Sequence, residues 1–232
     1  MITRGIIYII INNVNPDTDY RVSTYNYIEE VIFSATSVRK TNKYLPITLI
    51  IDDPTYKNDL FDSIIHVKHD YNTPPRHSKI KFLLESPYDQ TAFLDNDTQV
   101  MSDISGIFNY LDEGNISVGL IKKKDPKKEW YNTGVIVFDN KEVTKTFIKK
   151  WLKMCNNKGG EEESSFNFVS KKGIKLIELD LDIYNNMGLR LNKLHTPEMI
   201  DVTQSKYDKA KILHAHCLGE QWMQEKVNRR KW

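Results

Sequence analysis

An α/β fold with a mostly parallel central sheet flanked by helices is what this sequence predicts, and three observations predict it. Over the first two thirds of the 232 residues, strand-length apolar runs alternate with amphipathic stretches of helical period. The apolar runs are continuous rather than alternating, as expected of strands buried on both faces. They also stop at turn signals such as Asn12-Asn13 and Asp52-Asp53-Pro54.

Taken in order, Ile6 to Ile11 reads as a first buried strand, and Tyr25 to Thr41 as a helix with Tyr27, Ile28, Val31, Ile32, Ala35 and Val38 on one face. Pro46 opens a second strand, Ile47 to Ile51. Ser63 to Val67 supplies a third before the loop His69 to Pro75. Ser78 to Glu85 reads as helix, and Thr91 to Leu94 as a fourth strand running directly into Asp95-Asn96-Asp97. A strand at Ile116 to Ile121, a basic loop, a strand at Gly134 to Phe138 and a helix from Glu142 to Cys155 follow. Beyond the flexible Lys158-Gly159-Gly160, Ser164 to Ser170 reads as helix, with strands at Ile174 to Leu179 and Lys211 to His214. No internal repeat appears, so one domain over residues 1–232 is the expectation, alone or as part of a longer protein.

Composition narrows the function. Charged residues at 28% and hydrophobic ones at 40% describe a globular chain, neither disordered nor membrane-embedded. The 33 Lys and Arg nearly cancel 31 Asp and Glu, which argues against nucleic acid as a partner. The short basic runs around Lys122-Lys123-Lys124 and Arg229-Arg230-Lys231 read as solvated loop and tail. Cys155 and Cys217 lack CxxC spacing, so neither zinc nor a disulfide framework is expected. The apolar run Gly5 to Ile11 is too short to span a membrane and lacks a cleavage site, which makes a cytoplasmic setting the expectation.

The motif that carries chemistry is Phe93-Leu94-Asp95-Asn96-Asp97. The bare Asp-x-Asp pattern is uninformative, because 18 Asp produce three such pairs here where chance alone gives roughly one or two. What separates Asp95 and Asp97 from Asp17/Asp19 and Asp180/Asp182 is the buried run Thr91 to Leu94. It delivers both carboxylates to the carboxyl end of the sheet, where open α/β folds bind ligands. Hard divalent cations take oxygen ligands, and such an ion offsets the charge of a departing diphosphate. Without a ligand, the same two aspartates would merely cap the strand and lead into a helix near Ser102-Asp103-Ile104.

These residues resemble glycosyltransferase family 8, the group that contains glycogenin and bacterial galactosyltransferases. Ser78-Lys79-Ile80 looks like the family's Thr-Lys-Leu, and Phe93 to Val100 like its Phe-Leu-Asp-Ala-Asp-Thr-x-Val. Tyr131-Asn132-Thr133-Gly134-Val135 is similar to Phe-Asn-(Ser/Ala)-Gly-Val, with weaker echoes at Tyr184-Asn185 and His216-Cys217-Leu218-Gly219. The resemblance implies a GT-A fold, the Rossmann-like fold of nucleotide-diphospho-sugar transferases. It also implies transfer of a sugar from a nucleotide-diphosphate donor, UDP-linked by the likeness, to a hydroxyl of a glycan or protein, with retention of configuration.

It further implies roles. Asp95 and Asp97 would ligate Mn²⁺ or Mg²⁺, with His216 as third ligand and His214 as its rival; imidazole suits Mn²⁺ better. Asn12 and Asn13 would contact the nucleotide, Lys79 and Arg76 the phosphate or sugar. Asn96 and Gly219 would line the donor site, and Asn132 would stand before Gly134, where a small residue lets a sugar approach the backbone. Each has a plain alternative: a turn for Asn12-Asn13, an exposed helix charge for Lys79 or Arg76, close strand packing at Gly134.

Two departures bear on the chemistry. Where the family carries Asp-Gln, with Asn four residues after the Gln, this chain has Glu162 and Glu163, with Asn167 keeping the spacing. A longer carboxylate would then stand on the reactive face, either steadying positive charge or acting as a base. After Gly219 the family's Lys becomes Trp222, leaving Lys226 as a substitute. The alternatives are a non-catalytic sugar- or nucleotide-binding module on the same fold and a nucleotidyltransferase, although the segment after the first strand lacks the Gly-rich basic loop of the latter. Neither a P-loop nor a Gly-x-Gly-x-x-Gly fingerprint occurs.

Overall fold

The computed structural model describes residues 2–12, 27–112, 116–122, 129–158, 162–170, 176–184 and 209–214. The strands are β1 (Arg4–Ile10), β2 (Ile47–Ile51), β3 (Ser63–His66), β4 (Gln90–Leu94), β5 (Thr98–Val100), β6 (Ile116–Lys122), β7 (Glu129–Asp139), β8 (Leu176–Leu179) and β9 (Ile212–His214). The helices are α1 (Tyr27–Thr41), α2 (Pro75–Phe82), α3 (Glu142–Lys158), α4 (Glu162–Val169) and α5 (Leu181–Tyr184), with 3₁₀ segments at Leu83–Glu85 and Ser105–Asp112.

Seven strands form one sheet in the order β3-β2-β1-β4-β7-β6-β8. The pairings β3/β2, β2/β1, β1/β4 and β6/β8 are parallel, and β7 runs antiparallel to both β4 and β6. The expected mostly parallel sheet is therefore present. β1 lies between β2 and β4, so the direction of strand succession reverses beside it, and the carboxyl ends of β1 and β4 flank a crevice of the kind that holds ligands in such sheets.

The sheet is buried on both faces because β1 sends alternate residues each way. Ile6, Tyr8 and Ile10 pack with α1 and the Ser105–Asp112 helix, while Ile7 and Ile9 join the cluster under α2, α3 and α4. That second cluster is locked by aromatic edges: Trp151 and Phe147 meet Phe166 with ring centroids 4.9 and 5.5 Å apart. The Trp151 indole N–H also donates to the carbonyl of Glu162 at 2.8 Å, which fixes the start of α4 against α3.

Three of the differences from the sequence expectation bear on the site. Helix α2 begins at Pro75 rather than Ser78, because proline's fixed φ and missing N–H suit the first helical turn. Strand β7 begins at Glu129 rather than Gly134. It carries an irregularity in which the pairs Val118↔Ile136 and Leu120↔Tyr131 bracket two steps on β6 but five on β7, so Asn132, Thr133 and Gly134 lie in a bulge. Finally, β5 was not expected; it pairs antiparallel with β9, setting Thr98 opposite His214 and Val100 opposite Ile212. Three residues are too few to show a period. Among the described residues, no helix is long and apolar enough to cross a membrane.

Candidate metal and donor site

β4 ends at Leu94 and hands Asp95 to a tight turn. The Asp95 N–H donates to Gly134 O at 2.8 Å, and Thr98 closes the turn onto Asp95 O through both its N–H, at 3.2 Å, and its hydroxyl, at 2.8 Å. A buried hydroxyl chain steadies Thr98 from below: its Oγ1 hydrogen-bonds with Ser34 Oγ at 2.8 Å, and Ser34 with Tyr8 Oη at 2.7 Å. One turn along α1, Ser37 Oγ accepts the Val100 N–H at 2.8 Å. The two small polar residues on the buried face of α1 thus anchor β5. Their sequence signal, two serines three apart within an apolar stripe, went unread.

β9 then places His214 against the turn. Its Nε2 lies 3.2 Å from Asp97 Oδ1 and 3.7 Å from Asp95 Oδ2, and the ring is 1% exposed. The ligand atoms of Asp95, Asp97 and His214 all lie within 4.8 Å of one another. Space for the imidazole comes from Gly134, where an added Cβ would fall 2.0 Å from the ring's Cε1. The small residue in this bulge makes room for the histidine, a role distinct from both sequence readings of Gly134. Two carboxylates with one imidazole, held in a cradle that a single methyl would fill, fit a hard-to-borderline divalent ion.

The charges around the site are strongly coupled. Lys79 Nζ, reaching in from α2, donates to Asp95 Oδ1 at 2.9 Å, to Glu162 Oε1 at 3.4 Å and to Thr133 O at 3.5 Å. Burial opposes its charge, but the two carboxylates prevail and hold the ammonium firmly protonated. Burial alone would raise Glu162; Lys79 outweighs it and draws that carboxyl below its usual range. Asp95 goes the other way, raised by burial although Lys79 and His214 pull it down. For His214, burial disfavours the charged ring, but Asp97 and Asp95 prevail and raise it. Glu30 on α1 is pushed up to about 8 by burial first, then by the negative charge of Asp97 and Asp95.

Next to this centre stands Glu163. Asn132 Nδ2 donates to its Oε2 at 3.2 Å and the Trp130 indole N–H donates to its Oε1, while Asn132 Oδ1 accepts the Gly134 N–H at 2.9 Å. Asn167 pins the bulge to α4, accepting the Tyr131 N–H at 2.7 Å and donating to Tyr131 O and Glu163 O, both at 2.8 Å. The structure therefore brings together Asp95, Asp97, Lys79, Glu162, Glu163, Asn132 and Gly134. Trp130 was not foreseen, since nothing in the basic loop before it marks it.

Other expected residues fall into place less completely. Arg76 lies on α2 and adds to the positive field at Glu162. The Asn12 N–H donates to Asp52 Oδ1 at 2.9 Å, tying the ends of β1 and β2. Asn96 keeps a buried Oδ1 with no hydrogen-bond partner, beside the two aspartates. Asn13, His216, Gly219, Trp222 and Lys226 lie outside the described residues. Of the other Asp-x-Asp pairs, Asp17/Asp19 lies outside them too, and Asp180 accepts the Asp182 N–H at 3.0 Å at the start of α5, an ordinary turn. Cys155 is buried and takes part in no disulfide among the described residues.

The family model described as nucleotide-diphospho-sugar transferase matches residues 84–229, more than half of the chain. No curated protein sequence matches. Among solved structures, the glycosyltransferase GlyE of Streptococcus pneumoniae TIGR4 superposes with a TM-score of 0.63 at 17% identity, covering 99% of this chain and 64% of its own. Galactosyltransferase LgtC, in complex with donor and acceptor sugar analogues, gives 0.60 at 11% identity over 92% of this chain and 87% of its own. Mouse xyloside xylosyltransferase 1 gives 0.59 at 11% identity over 93% and 98%. At these identities the likeness is one of fold, and the chain spans less than two thirds of GlyE's length.

Proposed function

This chain belongs to the nucleotide-diphospho-sugar transferase family and has the GT-A fold, and from that premise we propose that it transfers a sugar from a UDP-linked donor to a hydroxyl of a glycan or protein. The observation that carries the reading is the convergence of Asp95, Asp97 and His214 at the carboxyl end of β4. Mn²⁺, in preference to Mg²⁺, suits two carboxylates and an imidazole. When bound, such an ion offsets the charge of the departing diphosphate.

The chain's own residues do the rest. Lys79 holds one oxygen of Asp95, which leaves Oδ2 turned toward His214 and Asp97. Asn132 and Gly134 form the wall nearest the donor sugar, Glu163 supplies a carboxylate on its reactive face, and Glu162 balances Lys79. Asn12, Asn13, Asn96, Arg76 and Gly219 complete the donor pocket in this reading. The nearness of His214 to both aspartates supports it as third ligand, and the resemblance favours His216. Separate His214→Ala and His216→Ala variants in a Mn²⁺ titration decide between them, since only loss of the true ligand abolishes tight binding. Retention of configuration follows from the resemblance, and an inverted linkage by NMR would refute it. A single domain and a cytoplasmic setting belong to the same reading, the latter supported by the paucity of cysteines and by an apolar run Gly5 to Ile11 that lacks a cleavage site.

The test is a thermal-shift screen of nucleoside diphosphates and their sugars with and without Mn²⁺, because a ligand that binds the native state raises its melting temperature by mass action. Stabilisation by a UDP-sugar only with the metal, followed by Mn²⁺-dependent donor hydrolysis, is the expected result. Stabilisation without turnover would mark a binding module, and no stabilisation by any donor would sink the proposal.

A further inference from the structure

Glu163 is held in a way that only a carboxylate satisfies. Its Oε2 accepts from Asn132 Nδ2 at 3.2 Å, and its Oε1 accepts from the Trp130 indole N–H. An indole nitrogen can only donate. The Asn132 amide has no more freedom: its Oδ1 takes the Gly134 N–H at 2.9 Å, so its nitrogen end must face the glutamate. Both contacts demand an acceptor, and a glutamine at 163 would turn its own NH₂ against one of the two donors. The pair also sits beside the metal residues by two independent routes. Asn132 bonds Gly134, whose missing side chain seats His214, and the preceding Glu162 bonds Lys79, which bonds Asp95.

We propose that Trp130 is a positioning residue for sugar transfer: with Asn132, its indole N–H holds the Glu163 carboxylate fixed at the site, as a standing negative charge rather than a proton acceptor. Each Glu163 oxygen is already engaged by a donor, which fixes the direction of the carboxylate and crowds the approach of an acceptor's proton. Glu163 is then suited to stabilising positive charge at the reacting sugar carbon and unsuited to taking the acceptor's proton.

The inference rests on the proposed transfer reaction for its consequence, and the test separates the two. The full chain and its Trp130→Phe, Glu163→Gln and double variants are labelled with ¹⁵N. The Trp130 indole resonance, identified among four tryptophans by its loss in Trp130→Phe, moves upfield in Glu163→Gln. In kinetics, Trp130→Phe keeps the ring but lowers kcat about tenfold with donor KM unchanged, as expected when a reacting group loses its fixed position. Glu163→Gln falls further, and Trp130→Phe/Glu163→Gln recovers part of that loss, because the donor facing the new amide is gone. An indole resonance unmoved by Glu163→Gln, or an unchanged kcat in Trp130→Phe, overturns the proposal. A chain that turns over no sugar nucleotide refutes the transfer reading, while the resonance still decides the pairing.

Discussion

A methyl group at Gly134 would occupy the place of the His214 ring, so the smallest available substitution tests the metal centre. Gly134→Ala is expected to weaken Mn²⁺ binding by calorimetry about tenfold or more, the usual scale when a ligand loses its support. Asp97→Ala should remove metal-dependent donor binding altogether while the fold still melts cooperatively; unchanged activity would reject the site. Because Asp97 and Asp95 raise His214 above its ordinary value, the ion must displace a proton to bind. Mn²⁺ affinity should therefore fall as pH drops below the raised value, by about tenfold per unit for one proton. Metal-free stability runs the other way: the charged ring's contribution is full below its unfolded value and is lost as pH rises through the folded one. At this scale Asp95 and Asp97 were legible because a buried strand leads into them. Trp130 was not, since its role exists only where Glu163 comes to meet it.

The elements show what joins the centre to the rest of the fold. β5 is three residues long and finds its partner β9 more than a hundred residues away, so no local pattern betrays it. Its attachment to α1 runs through Ser34 and Ser37, and Ser34→Ala would take from Tyr8 Oη its 2.7 Å partner in the core, leaving it Thr98. That change should cost about 0.5–1.5 kcal/mol in urea unfolding, the net worth of a lost buried hydrogen bond. It should also loosen the Asp95–Thr98 turn and lower metal affinity. A loss confined to stability would show that the turn holds itself. Apart from the first five residues of β7, the long strands and helices are legible to within a few residues from their apolar runs and helical periods. The bulge in β7, which sets Asn132 and Gly134 at the site, arises from unequal pairing with β6 and has no such period.

Across the molecule, one buried acid couples the site to folding. Glu30 is 9% exposed, and its carboxyl is raised from 4.5 to about 8. An acid whose folded value lies above its unfolded one loses stability as pH rises between the two, because only the unfolded chain can ionise it freely. Glu30→Gln should match the metal-free wild type near pH 4 and exceed it near pH 8 by on the order of 3 kcal/mol. Mn²⁺ should narrow that gap, since it offsets the Asp95 and Asp97 charges that help raise Glu30. A pH-independent difference would show that Glu30 ionises normally in the fold.

The order of residues along the chain was enough to establish the α/β class, the placement of two carboxylates at a strand's end and the family likeness, because buried strands and turn residues are local and periodic. It took the folded arrangement to bring His214 against those carboxylates, to show what the missing side chain at residue 134 makes room for and to show what holds Glu163. Those contacts join segments far apart in the chain, and each partner is ordinary until the sheet brings the other within reach.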